Sequence, residues 1–148
     1  IRVICGEVEG AKGPVRDIIT DPGYLDVSIG AKMTWRHEVE PGYTVFAYVI
    51  EGKGWFGPER DPFAYEIEGA NWFDIERDCM VGPETLVLYG DGDTLAVTAG
   101  DAGVRFLLIS GKPIGEPVAW YGPIVMNTRE ELRTAFDEYS RGTFLKHG

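Results

Sequence analysis

Tyr24-Leu-Asp-Val-Ser-Ile29 alternates strictly, with Leu25, Val27 and Ile29 on one face and Tyr24, Asp26 and Ser28 on the other. A two-residue period of this kind marks a strand half-buried against a core. Outward from it the same pattern recurs. Upstream, Ile1-Arg-Val-Ile-Cys5 reads as a strand already in progress. Downstream, Pro41-Gly42 signals a turn, and Thr44 to Ile50 is a β-branched and aromatic run suited to a central strand. Gly52-Lys-Gly54 closes that run, and Trp55-Phe56 begins the next short strand. Thr85-Leu-Val-Leu-Tyr89, Thr94 to Thr98 and Val104 to Ile109 follow, with Gly90-Asp-Gly-Asp93 as a tight turn. Between Pro58 and Arg77 the pattern loosens, and short strands with a long loop are expected. Twenty glycines and nine prolines separate these segments, a spacing typical of sandwiches and barrels.

The last segment changes character. Thr128 with Glu131 forms a capping box, in which each side chain satisfies a backbone N–H that the helix start leaves unpaired. Leu132, Ala135, Phe136 and Tyr139 make one apolar stripe at helical spacing. Glu130 and Glu131 in the first turn and Arg141 in the last suit the helix dipole, and Gly142 is the expected left-handed stop. A terminal helix over 127–142 follows. The fold class is therefore all-β, a jelly-roll barrel with a C-terminal α-helix, within a single domain over 1–148.

Composition narrows the function. The chain has 148 residues, 44% of them hydrophobic, enough for a packed core. Asp and Glu number 24 against 14 Lys and Arg, a net charge of −10. Such a surface repels phosphate backbones, so no direct nucleic-acid partner is expected. No apolar run approaches the roughly 18 residues of a membrane span, so no membrane partner is expected either. The two cysteines, Cys5 and Cys79, are expected to be free thiols. His37 and His147 are the only histidines, too few for the imidazole sets of most zinc, iron or copper enzymes.

Two segments together resemble the pirin family. One is Tyr48-Val-Ile-Glu-Gly52-Lys-Gly54. The other begins at Leu107-Leu-Ile-Ser-Gly111-Lys-Pro113, continues through Glu116-Pro117-Val118 and ends in Gly122-Pro-Ile-Val-Met-Asn-Thr128 before an acidic helix. Ile1-Arg-Val-Ile-Cys-Gly6 and Gly13-Pro14-Val15 are similar to the family's crossing from first domain to second. The resemblance implies a cupin double-stranded β-helix, and specifically the C-terminal cupin of a two-domain protein. The N-terminal cupin, which the resemblance implies holds an iron-type metal, would then be absent from this chain, and the start at Ile1 is expected to be a cut within a longer protein. In that first domain, His-Pro-His-Arg-Gly-Phe-Glu precedes a Tyr-Val-Leu-Glu-Gly segment. Counting back from Tyr48, the His-Pro-His positions fall on Glu38-Val39-Glu40 and the metal-binding Glu on Thr44. No histidine lies between His37 and His147 to supply a second-motif ligand. The resemblance thus implies no metal, cofactor or catalytic residue in this chain.

Several residues still invite a sharper reading. Glu38 and Glu40 share a face and could form a hard-cation or paired-carboxylate site, although solvated carboxylates beside a turn are the ordinary account. His37 points the opposite way and is more often structural than a ligand or general base. Asp91, Asp93 and Asp101 sit in Gly-rich turns without the spacing of a calcium loop. Cys79 follows Arg77 and Asp78, a setting that can activate a thiol. Trp55, Phe56, Phe63, Tyr65, Trp72 and Phe73 are expected to be core, with a small-molecule pocket as the alternative.

The expected role is structural and interactive: a metal-free domain supporting the N-terminal cupin of the same protein. Regulatory proteins and a second copy, as a homodimer, are further expected partners. The resemblance implies a cytoplasmic parent, nuclear if eukaryotic, that is a quercetin 2,3-dioxygenase-like enzyme or a transcription co-regulator. The alternative is a stand-alone metal-dependent dioxygenase or isomerase built on Glu38 and Glu40, or a small-molecule binding module.

Overall fold

A computed structural model describes residues 1–58, 60 and 78–145. The expectations for Phe63, Tyr65, Trp72, Phe73, Arg77 and His147 lie outside these residues. The chain divides into two compact units, Ile1–Pro113 and Ile114–Gly148.

The first unit holds β1 (Arg2–Cys5), β2 (Glu7–Val8), β3 (Ala11–Lys12), β4 (Gly23–Ile29), β5 (Thr34–Glu38), β6 (Thr44–Trp55), β7 (Leu86–Leu88) and β8 (Thr94–Gly111). Six of these form one antiparallel sheet in the order β1-β4-β8-β6-β7, with β5 also paired to β8. The 18-residue β8 is the spine. Its first part, Thr94 to Thr98, pairs with β5, and its second, Val104 to Ser110, pairs with β4. Along its other edge runs β6.

Thr94–Thr98 and Val104–Ile109, expected as two strands, are one. The reason lies in the phase of the side chains. Leu95, Val97 and Ala99 are buried at odd positions, whereas Val104, Phe106 and Leu108 are buried at even ones. The switch occurs over Gly100–Gly103, which have no ladder partner among the described residues, and pairing resumes at Val104 within the same strand. The same happens on β6, which continues through Trp55 instead of ending at Ile50. Val45, Ala47 and Val49 point inward, then Gly54 and Phe56 do, across register shifts between Val49 and Glu51 and between Gly52 and Gly54. The two bulges face each other. At Gly52 the backbone has φ +72°, and a Cβ there would run into the Gly103 carbonyl oxygen. Bulges of this kind bend and twist strands, and they coil this sheet around its core.

Inside lie Leu25, Val27, Ile29, Val45, Ala47, Val49, Phe56, Leu95, Val97, Ala99, Val104, Phe106 and Leu108. Phe106 is fully buried at the centre, edge-on to Phe56 with ring centroids 5.0 Å apart. Fully burying a side chain of this size contributes about 1.5–3 kcal/mol. The β4 alternation falls as its sequence predicts, with Leu25, Val27 and Ile29 inside.

In the second unit a hairpin of β9 (Ala119–Tyr121) and β10 (Ile124–Met126) meets α1 (Arg129–Ser140). Thr128 is the N-cap, and both halves of the capping box with Glu131 are present. Gly142 takes the left-handed stop at φ +73°. Arg141 is the C-cap residue and not part of the last turn. Ala135 is buried and the Phe136 ring packs edge-on against Tyr121 at 5.4 Å, but Tyr139 stays exposed.

Candidate functional site

One end of the first unit opens into a cavity of about 1260 Å³. Strand β5 supplies one wall. Trp35, His37 and Val39 turn inward and are half-buried, while Arg36, Glu38 and Glu40 stand exposed on the rim. The sequence assigned Glu38 and Glu40 to one face and His37 to the other, and the side chains divide that way. Leu25 and Leu108 form the floor. Opposite β5, the segment after β1 closes the side. The Cys5 thiol donates to the Val15 carbonyl at 3.2 Å, and the Val15 N–H donates to the Ile4 carbonyl at 3.3 Å, which pins this segment beside β1. The Tyr43 hydroxyl donates to Asp21 at 3.1 Å across the mouth.

The His37 ring stacks on Trp35, 5.1 Å between centroids and 15° from parallel. Burial of the imidazole lowers its pKa, against a weaker upward pull from the Glu38 carboxylate. His37 is therefore neutral at pH 7 and offers a ring nitrogen as an acceptor.

The other candidates scatter. Asp91 accepts the Gly42 N–H at 3.0 Å and fastens a turn. Asp101 pairs with Lys32 at 3.2 Å on the surface. Asp93 lines the cavity rim. Among the described residues, no three His, Cys, Asp or Glu side chains gather closely enough to hold a metal ion. Thr44, the position implied for a metal-binding Glu, is exposed at the start of β6. Both cysteines are free, and the Cys79 sulfur accepts the Trp55 indole N–H at 3.2 Å. Phe56 is core, as expected, while Trp55 is half-buried and lies 4.8 Å under the Arg60 guanidinium. Neither lines the cavity. Its aromatic wall is Trp35 and Tyr43, which the sequence reading passed over. The signal was present in the alternation Trp35-Arg36-His37-Glu38-Val39, which sends the two rings and a valine to one side.

The outer face of the sheet is the second feature. Leu88, Phe46, Ile109 and Tyr24 stand in one cross-strand row, and Leu86, Tyr48 and Leu107 in the next. Leu86 and Leu88 are 56% and 67% exposed. A charged strap borders these rows. Arg105 forms a two-pronged bond to Asp26 on β4 at 2.8 and 2.9 Å and reaches Glu51 on β6 at 3.7 Å. The Arg105 hydrogen bonds hold the Asp26 carboxyl below its usual range.

A coiled antiparallel sheet with a mouth at one end is the arrangement of a cupin. Residues 24–145 match the family model described as the Pirin C-terminal cupin domain, and the chain belongs to that family. A pirin-like protein of Caulobacter vibrioides is 35% identical over 150 residues, covering 97% of this chain and 45% of the relative. Pirin-1 of Arabidopsis thaliana is 34% identical over 142 residues, covering 94% of this chain and 43% of the relative. A crystal structure of quercetin 2,3-dioxygenase from Acinetobacter baumannii superposes with a TM-score of 0.69 at 26% identity, over 96% of this chain and 42% of that one. The chain thus spans less than half the length of these relatives. Among the described residues, no helix is long and apolar enough to cross a membrane.

Proposed function

We propose that this chain is a metal-free, non-catalytic cupin that seats the N-terminal, metal-bearing cupin of the same protein. The observation carrying this reading is the outer sheet face. Its two apolar rows span four strands, and Tyr48, Leu86 and Leu88 on them stand exposed. Soluble monomers rarely expose a contiguous apolar patch beyond a few hundred Å², and such patches mark interaction surfaces. The relatives' additional length supplies an occupant. The donor set supports the metal-free part: the implied ligand positions carry Glu38, Glu40 and Thr44, and all three side chains stand exposed. Oxygen-activating chemistry of the quercetin dioxygenase kind would reside in the other half. The parent would work in the cytoplasm, or in the nucleus of a eukaryote, where regulatory proteins would be its further partners.

Mixing this chain with its separately produced N-terminal half tests the reading. A one-to-one complex is expected in sedimentation, with transition metal following the other half in elemental analysis. Leu88→Glu combined with Tyr48→Glu is expected to abolish the complex. Stoichiometric metal on this chain, with turnover lost in Glu38→Ala or Glu40→Ala, would overturn the proposal.

A further inference from the structure

We infer that the cavity at the mouth of the barrel binds a small organic cation, an amine carrying an apolar or aromatic body. Three independent features converge there. The floor is apolar: the buried Leu25 and Leu108 underlie the half-buried Trp35, Val39 and Tyr43, which present the accessible apolar surface. A bare inorganic ion gains nothing from such a surface, whereas an organic body does.

The second feature is polar and points inward. The His37 imidazole and the Ser110 hydroxyl both line the cavity, and neither has a hydrogen-bond partner among the described residues. A neutral imidazole nitrogen and a hydroxyl oxygen can both accept from an ammonium. His37 is held against Trp35 by stacking, so the acceptor is positioned before any ligand arrives.

The third feature is the sign of the rim. Seven carboxylates line the cavity (Glu7, Glu9, Asp17, Asp21, Glu38, Glu40 and Asp93) against three cationic side chains, Lys12, Arg16 and Arg36. Lys12 is engaged by Glu7 at 3.3 Å. Glu38 and Glu40 have no ion pair among the described residues. Arg16 and Arg36 are in no ion pair among the described residues either. Carboxylates still outnumber cations, and a cleft with such an excess concentrates ligands of the opposite sign and disfavours carboxylates and phosphates. The floor therefore selects an organic body, the inward acceptors select an N–H donor, and the rim selects positive charge. This inference stands apart from the outer face and does not depend on what covers it.

Calorimetric titration of the chain with phenethylamine, 2-phenylethanol and 3-phenylpropionate tests it, since the three share a phenyl body and differ in charge. At low salt the amine is expected to bind at least tenfold tighter than the alcohol, and the carboxylate not measurably. The His37 ring resonances should shift on adding the amine. In Glu38→Gln combined with Glu40→Gln, both on the exposed rim where folding is not at stake, the amine should lose most of its advantage over the alcohol. His37→Leu should weaken the amine more than the alcohol. No saturable binding of the amine at millimolar concentration, equal binding of the carboxylate, or an amine preference untouched by the rim variant would each overturn the inference.

Discussion

Gly52 and Gly103 show what a single missing side chain does for this barrel. Both have positive φ, +72° and +83°, and they face each other across β6 and β8. A methyl at Gly52 meets the Gly103 carbonyl, which is backbone and cannot rotate away. It would also hold an L residue in a sparsely populated conformation, at a cost of about 1–3 kcal/mol. Gly52→Ala is therefore expected to lower stability by about 2 kcal/mol or more, measured as a shift in denaturant midpoint. Gly42→Ala is the control: its φ is similar, +80°, but nothing lies within 4 Å of the added carbon. The difference between the two variants reads the collision alone. Asp26 gives a second test at this scale. Its carboxyl is held below its unfolded pKa, so the stabilisation from Arg105 is complete above about pH 4, near the unfolded value. It fades as pH falls through the folded value. Asp26→Asn is expected to destabilise the chain at pH 7 and to flatten the loss of stability below about pH 4. Acid titrations of the two proteins that run parallel would show that the bond contributes nothing in solution.

At the scale of elements, what could be read in advance depended on whether the information was local. The α1 start is local: Thr128 and Glu131 are three residues apart and satisfy each other, and the structure contains both bonds, at 3.1 and 2.8 Å. Thr128→Ala is expected to cost about 1 kcal/mol, and Glu131→Gln much less, because glutamine can still accept at the same position. Circular dichroism across a denaturant series would measure both. The β4 strand was equally legible because one of its faces is plainly apolar. The long β8 was not. Reading along the chain, a change of phase at Gly100–Gly103 is indistinguishable from a turn. Only the partner bulge on β6, some fifty residues earlier, shows that the ladder runs on. The aromatic wall of the cavity was missed for a related reason. Trp55 and Phe56 stand out along the chain because aromatics cluster near them, whereas Trp35 and Tyr43 are isolated in sequence and reach one cavity only because β5 and β6 both pair with β8. The outer apolar face is the extreme case, since its rows are read across four strands and never along one.

At the scale of the whole molecule, charge and apolar surface oppose each other. The net charge of −10 keeps copies of this chain apart, while the outer rows of Leu86, Leu88 and Tyr48 favour contact. On its own the chain is expected to form a two-fold dimer through that face, the commonest closed arrangement. Salt should promote it, because the Debye length contracts to about 10 Å at 0.1 M ionic strength. Light scattering across a salt series should show the dimer fraction rising, and Leu88→Glu should leave a monomer throughout. A monomer at every salt level in the parent chain would mean that these rows are too small to hold a partner. The cavity is a separate matter, since its rim is charged.

The facing bulges of β6 and β8 also set how this gene can change length. On either side of the bulges the two strands agree about which residues look inward, and that agreement holds only while β6 keeps its one extra residue between Val49 and Glu51 and β8 its three between Ala99 and Val104. Deleting one codon within 49–51 would remove the β6 bulge and its local twist, leaving β6 straight against a β8 still bent. Removing one residue from 99–104 would disturb the close approach of Gly103 to Gly52. Insertions and deletions should therefore be rejected singly in both stretches, whereas the exposed 90–93 turn should accept them. A one-codon scan read out by soluble expression would draw that map, with two silent gaps in sequence marking one place in space.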